Sequence, residues 1–88
     1  MIIKAIKIEP ETIIKIFDKH NVLQEEIFDV LKNDDPRFKK VGGNQYAAIG
    51  LSKSRYLTIF FRYDEGEAEI TTAYPSDKNQ IRSYKKVK

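Results

Sequence analysis

A few residues of this 88-residue sequence are of types that can act on phosphate. His20 is its one histidine, and imidazole exchanges protons near neutral pH, which suits a general acid or base. Arg55 carries a permanent charge that can bind phosphate through two parallel hydrogen bonds. The phenols of Tyr74 and Tyr84 can stack on a nucleobase or donate a hydrogen bond. Residues of these types suit a substrate that carries phosphate.

Each of these residues also has an ordinary structural interpretation. His20 precedes Asn21, a residue type that tolerates the left-handed conformation in which helices often end, so the histidine could simply close a helix. Arg55 could be a surface residue at the start of a strand. The two tyrosines could pack where a helix meets a sheet. The residues alone leave both interpretations open.

Basic residues form a second group of candidates. Lys78, Arg82 and Lys85 are four and three residues apart, so a helix would place them on one ridge. Charge is also uneven, because residues 1–31 carry four lysines against six acids, whereas residues 32–88 carry twelve Lys and Arg against seven acids. The positive part suits a polyanion partner. The ridge could equally dock an acidic protein segment or face solvent.

The spacing of apolar residues predicts the elements that hold these candidates. Residues 2–8 are predicted to be a strand, and residues 11–19 and 23–32 two amphipathic helices that form a hairpin. The first helix is expected to present Ile13, Ile14 and Phe17 to the core. The second is expected to turn its acids toward solvent, namely Glu25, Glu26 and Asp29.

Four strands and a last helix are predicted to follow. The strands are expected at 37–41, 45–51, 55–63 and 67–74, and the helix over 77–86 with Ser76 as its N-cap. The strand at 55–63 is apolar on both faces over its middle and is predicted to be central. Alternation places Arg55 and Arg62 on opposite faces, so they should not share a site. In the last strand Ala68, Ile70 and Thr72 are expected to share one face.

This order, β-α-α-β-β-β-β-α, predicts an α+β fold built as one domain over residues 1–88. We expect a mostly antiparallel sheet, with the helical hairpin packed on one face and the other face partly open and basic. Without cysteine and with one histidine, the chain is expected to need no metal or cofactor. No apolar run reaches the roughly 18 residues of a membrane span, and no signal peptide is evident, so we expect a cytoplasmic protein.

Four stretches of the sequence, taken in order, resemble the BrnT-type toxin family over about residues 12–84. They are Lys19-His20-Asn21-Val22 with Glu25-Glu26, Tyr46-Ala47-Ala48-Ile49-Gly50, Arg55-Tyr56-Leu57 with Ile59-Phe60-Phe61, and Ile70-Thr71-Thr72-Ala73 followed by Tyr84. Four positions depart from the family pattern. Tyr74 replaces an arginine, Gln80 a glutamate, Asn21 a glycine and Leu23 a serine.

The resemblance implies a RelE-like fold and the toxin half of a type II toxin–antitoxin pair. Such toxins are ribonucleases that an antitoxin protein neutralises, and they cleave RNA without metal, through attack of the ribose 2′-OH on the adjacent phosphate. The oligomeric state stays open, and a heterotetramer with the antitoxin is one candidate. On this hypothesis the candidate catalytic residues are His20, Arg55, Tyr74, Lys78 and Tyr84, and the candidate RNA-binding residues are Lys53, Arg82 and Lys85.

The substitution at Tyr74 keeps an alternative open. The arginine that the family has there would contact phosphate, and its loss could remove a contact that cleavage needs. The alternative is a catalytically inactive RelE-like module that binds RNA or a protein.

Overall fold

A computed structural model describes residues 1–33, 36–53 and 55–87, which form a five-stranded sheet with helices on both faces. The strands are β1 (Ala5–Lys7), β2 (Arg37–Gly42), β3 (Gln45–Ser52), β4 (Arg55–Asp64) and β5 (Glu67–Pro75). The α-helices are α1 (Pro10–His20), α2 (Gln24–Phe28) and α3 (Lys78–Val87). A π-helical turn, Asp29–Asn33, continues α2. The fold is α+β.

The sheet is mixed rather than antiparallel throughout. Its strand order is β1-β5-β4-β3-β2, so β4 is the central strand, as its apolar faces predicted. Strands β2 to β5 form an antiparallel meander. β1 pairs in parallel with the start of β5, through Ala5 opposite Glu67 and Lys7 opposite Glu69. β1 and β2 lie at opposite edges of the sheet, and the helical hairpin of α1 and α2 connects them.

The two faces of β4 serve different purposes. Leu57, Ile59 and Phe61 are buried and belong to the main core, together with Ile16, Val22, Ile27 and Val30 of the helical hairpin. The alternate residues of β4 lie on the opposite face, where Tyr56 and Thr58 contact α3. The helical hairpin and α3 therefore pack on opposite sides of the sheet.

A β-bulge in β5 changes which of its side chains reach the core. Phe61 pairs with Ile70 but Phe60 pairs with Thr72, so Thr71 is an extra residue in β5. The extra residue shifts the alternation beyond it. Ala73 is therefore buried in the core, and Thr72 lies on the face of α3. The prediction that Thr72 shares a face with Ala68 and Ile70 is wrong for this reason.

The rotation of α1 also differs from the prediction. Ile16 is the buried residue of this helix, whereas Ile14 and Phe17 are 60% and 46% exposed. The helix turns its Ile16 side toward β5, and this places polar residues close to the strand. Ile14 and Phe17, which were expected in the core, therefore face outward, whereas Ile13 is half-buried.

Candidate active site

A cleft of about 200 Å³ lies between α1 and the part of β5 that follows the pairing with β1. In the described residues β1 pairs with β5 only as far as Glu69, and α1 lies against Thr71 and Thr72 beyond it. Lys15 and Lys19 are four residues apart and so project from one side of α1. The lining residues are Thr12, Lys15, Ile16, Lys19, His20, Thr71 and Thr72. Two ammonium groups, an imidazole and the hydroxyls of Thr12 and Thr71 give the cleft the composition of an oxyanion site.

His20 stands at the end of α1, where the local sequence ends the helix. Asn21 adopts the left-handed conformation with φ of 55°, as predicted, and its N–H donates to the Phe17 carbonyl at 2.9 Å. The His20 side chain is half-buried, and its ring centroid lies 5.7 Å from that of Tyr74. His20 therefore closes a helix and lines the cleft at the same time.

Tyr74 lies between the cleft and a groove on the other side of the sheet. Its ring contacts His20 on one side and Phe60 on the other, with a centroid distance of 5.8 Å to Phe60. The Gln80 amide nitrogen donates a hydrogen bond to its hydroxyl at 3.1 Å. His20 lines the cleft, and Phe60 and Gln80 line the groove. Tyr74 is the residue that joins the two.

The groove is larger, at about 500 Å³, and runs between β2 and the start of α3. Ala47, Ile49 and Phe60 give it an apolar floor, and Lys39 and Lys40 of β2 form a basic wall. An apolar floor with cations beside it suits a single nucleic-acid strand, because bases stack on aromatic surface while phosphates contact lysines. This face matches the partly open, basic face that the sequence predicted.

Asp77 and Gln80 cap the N-terminus of α3. The Gln80 N–H donates to Asp77 Oδ1 at 2.8 Å, and the Asp77 N–H donates to Gln80 Oε1 at 3.0 Å. This is a capping box with aspartate as the N-cap. The prediction of Ser76 as the N-cap is therefore wrong, because the Ser76 hydroxyl is hydrogen-bonded to Thr58 across 2.7 Å.

Arg55 lies on the face of the helical hairpin and is paired with Glu26. Its Nε donates to Glu26 Oε2 at 2.9 Å, and its Nη2 donates to Glu26 Oε1 and to the Asn21 carbonyl, each at 2.7 Å. The Glu26 carboxylate also accepts the Leu23 N–H at 3.0 Å. Glu26 is therefore buried rather than turned to solvent as predicted, since three donors compensate its charge.

The pairing changes the acidity of both groups. The hydrogen bond from Arg55 holds the pKa of the Glu26 carboxyl below its ordinary value of 4.5, although burial acts in the opposite direction. The same hydrogen bond raises the pKa of the Arg55 guanidinium. Both shifts favour the charged pair. The Nε and Nη2 groups of Arg55 thus hold the α1–α2 turn on the sheet, one residue away from His20.

The other predicted residues lie on or near α3 and in the β3–β4 turn. Tyr84 is buried and packs edge-on against Tyr56, with ring centroids 5.4 Å apart, while Lys85 Nζ lies 5.6 Å from the centre of the Tyr56 ring. Lys78, Arg82 and Lys85 share one outward surface of α3. Lys53 is exposed in the β3–β4 turn, where its charge lowers the pKa of Glu26. Of the predicted catalytic residues, the structure brings His20 and Tyr74 into contact.

Sequence reasoning missed several residues around this contact. Lys15 and Lys19 could have been found, because they stand at i and i+4 immediately before His20. Gln80 could have been found as the third residue after Asp77, the spacing of a capping box. Thr71 reaches the cleft from a bulge, which the repeated threonine at positions 71 and 72 does not reveal.

The arrangement suits proton transfer beside an anion. The His20 and Tyr74 rings lie in contact, and Lys15 and Lys19 line the cleft together with His20. In the described ranges, no three His, Asp or Glu side chains converge in a way that could hold a metal ion. None of the described helices has the length and apolar character that crossing a membrane requires.

Comparison with solved structures shows what this fold resembles. The chain is similar to the crystal structure of the Brucella abortus ribonuclease toxin BrnT, with a TM-score of 0.70 and 10% sequence identity. The similarity covers 84% of this chain and 97% of that chain. No protein-family model matches the sequence, and no curated protein sequence matches it significantly. The chain therefore has a BrnT-like fold, and at this identity the likeness is one of fold alone.

Proposed function

We propose that this protein is the toxin of a type II toxin–antitoxin pair and cleaves RNA without a metal ion. The observation that carries the proposal is the contact between His20 and Tyr74 beside the lysine-lined cleft. The BrnT-like fold supports it, since the Brucella protein is a ribonuclease toxin. The expected partners are RNA and a cognate antitoxin, with a heterotetramer as one candidate assembly, and the expected compartment is the cytoplasm.

The proposed reaction is an internal transesterification of RNA. The ribose 2′-oxygen attacks the adjacent phosphorus, the bond from phosphorus to O5′ breaks, and a 2′,3′-cyclic phosphate and a 5′-hydroxyl result. His20 accepts the proton of the 2′-OH, and Tyr74 donates a proton to the departing O5′. The proton on His20 then returns to Tyr74 through solvent. Lys15 and Lys19 offset the negative charge that develops on the phosphate oxygens.

The RNA strand would continue from the cleft into the groove. Phe60 offers a surface on which a base can stack, and Lys39 and Lys40 can contact the backbone. We assign Lys78, Arg82 and Lys85 to the outer part of this path, and Lys53 to its periphery. Arg55 acts on the site by fixing the turn that follows His20, and Tyr84 by holding α3 on the sheet.

Cleavage of labelled RNA in the presence of EDTA tests the proposal. Wild-type chain should release fragments that end in 2′,3′-cyclic phosphate, and His20→Ala should lower the rate by about a hundredfold or more. Asp18→Ala is the matched control, since Asp18 is an exposed residue of the same helix that does not line the cleft. Intact RNA, with ribosomes present and absent, would contradict the proposal. Equal cleavage by wild type and His20→Ala would contradict the site.

A binding module that does not cleave is the second candidate function. Arg55 supports it, because the guanidinium expected at the phosphate is engaged by Glu26 and Asn21. RNA that stays intact but is retained by the wild-type chain in a salt-dependent manner would favour this module. A neighbouring gene for a small DNA-binding protein would favour the toxin instead.

A further inference from the structure

We propose that Gln80 is a positioning residue that orients the Tyr74 hydroxyl. The phenolic oxygen accepts a hydrogen bond from Gln80, and its proton is left to be donated to an oxyanion in the site. The inference rests on the proposed function for its substrate, an RNA phosphate. At the start of α3, Gln80 is hydrogen-bonded to Asp77, Thr58 and Tyr74.

The capping box determines which way the Gln80 amide points. A backbone N–H can donate but cannot accept, and the Asp77 N–H lies 3.0 Å from Gln80 Oε1. The oxygen of the amide must therefore face Asp77. The Thr58 hydroxyl, 3.0 Å from the same oxygen, donates to it as well. Because Thr58 uses its proton here, its oxygen accepts the hydrogen bond from Ser76 at 2.7 Å.

The opposite end of the amide then determines the direction of the Tyr74 hydroxyl. With Oε1 facing Asp77, Nε2 faces Tyr74 at 3.1 Å, and an amide nitrogen can donate but cannot accept. The phenolic oxygen is the acceptor in this contact, so its own proton points elsewhere. Hydrogen bonds thus run in one direction, from Ser76 through Thr58 and Gln80 to Tyr74.

This direction selects the chemistry of the ligand. A phenol whose oxygen already accepts from an amide offers its proton to an acceptor, such as a phosphate oxygen or the departing O5′ of RNA. The network also couples the site to the fold, because the amide that orients Tyr74 is the one that caps α3. A glutamate at position 80 would keep the cap but would present a carboxylate oxygen to Tyr74 and draw the phenolic proton inward.

Nuclear magnetic resonance on the ¹⁵N-labelled full chain tests the direction without any RNA. In Tyr74→Phe the Gln80 side-chain amide loses its acceptor, so its hydrogen-bonded proton should move upfield. The backbone amide proton of Asp77 should stay in place, because Oε1 still faces it. A shift of the Asp77 amide with no change at the Gln80 side chain would overturn the proposal.

A double-mutant cycle on RNA cleavage tests the consequence for the site. Tyr74→Phe and Gln80→Glu should each lower the rate about a hundredfold, as loss of one preorganised donor does. The double variant should be no slower than either single variant, because both act through one hydroxyl. Comparing the double variant with Tyr74→Phe alone also shows whether the new carboxylate repels RNA, because that effect does not need the Tyr74 hydroxyl.

The outcomes separate the inference from the function on which it rests. A double variant slowed by the product of the two single effects would overturn the positioning role, because Gln80 would then act independently of Tyr74. If wild-type chain cleaves no RNA, the proposed function fails and the resonance experiment alone decides the direction of the network. Thermal unfolding of each variant confirms that α3 remains folded.

Discussion

His20 is both the last residue of α1 and a residue that lines the cleft. The sequence could predict that it ends a helix, because Asn21 follows it and adopts the left-handed conformation. The sequence could not predict the contact with Tyr74, because that contact depends on how α1 is rotated against β5. The expected core face of α1 was displaced by this rotation, and Ile14 and Phe17 became exposed.

The two cleft lysines should matter for catalysis rather than for folding. Lys15→Ala and Lys19→Ala should each lower RNA cleavage about tenfold, because each removes one positive charge from beside the phosphate. Alanine is the best helix former, so α1 should stay folded, which circular dichroism can check. Lys7→Ala is the matched control, an exposed lysine of β1 outside the cleft. Equal losses in all three variants would point to general attraction of RNA instead.

Glu26 and Arg55 connect three elements, namely the end of α1, the start of α2 and the start of β4. Arg55→Ala leaves the Glu26 carboxylate buried without its main partner and should lower the free energy of unfolding by about 2–3 kcal/mol, since the pair is partly exposed. Urea denaturation measures the loss. Arg55→Lys keeps one charge and should lose less. A stable Arg55→Ala chain that fails to cleave RNA would instead place Arg55 in direct contact with the substrate.

The same pair predicts how stability depends on pH. Because the pKa of Glu26 is lower in the folded chain than in the unfolded one, the unfolded chain takes up the proton first as the pH falls. The contribution of Glu26 is thus complete above its ordinary value of 4.5 and is lost as the pH falls through the folded value. The unfolding free energy of wild type should fall more steeply below about pH 4.5 than that of Glu26→Gln. Parallel pH profiles for the two chains would contradict a stabilising role of the carboxylate.

At the level of elements, the spacing of apolar residues predicted which segments form strands, but it did not predict reliably which side chains of an element face the core. The central position of β4 followed from its two apolar faces. The bulge at Thr71 could not be predicted from the sequence. Without the bulge Thr72 would face the core, and with it Ala73 does, and both are small enough to be accommodated there. The orientation of Glu26 could not be predicted either, because its partner Arg55 comes from a distant strand. Pairings between distant residues decide these features, and the local pattern does not contain them.

The net positive charge of the molecule lies in residues 32–88, and its cleft and its groove lie on opposite faces of the sheet. The positive part of the sequence contributes the basic wall of the groove and the outer surface of α3. This arrangement predicts that RNA binding weakens with salt. For single strands, log K should fall against log[salt] with a slope of about −0.7 for each phosphate contact.

Removing lysines from the groove should reduce this slope. Lys39→Ala and Lys40→Ala should each make it shallower by about 0.7, because each removes one phosphate contact. Fluorescence anisotropy with a 2′-deoxy oligonucleotide measures binding without cleavage. An unchanged slope in both variants would place the RNA backbone away from β2, and the α3 variants Lys78→Ala and Arg82→Ala would then be examined in the same way.

The parallel pairing of β1 with β5 has a consequence for when the site comes into existence. The pairing joins two segments that are far apart in the sequence, and so does the cleft, which lies between α1 and β5. Contacts between such distant segments form late in folding, because a long loop must close first. On the ribosome, the helix that carries His20 emerges long before the strand that carries Tyr74. A nascent chain therefore has no assembled cleft until β5 has left the exit tunnel, and translation itself delays the assembly of the proposed site.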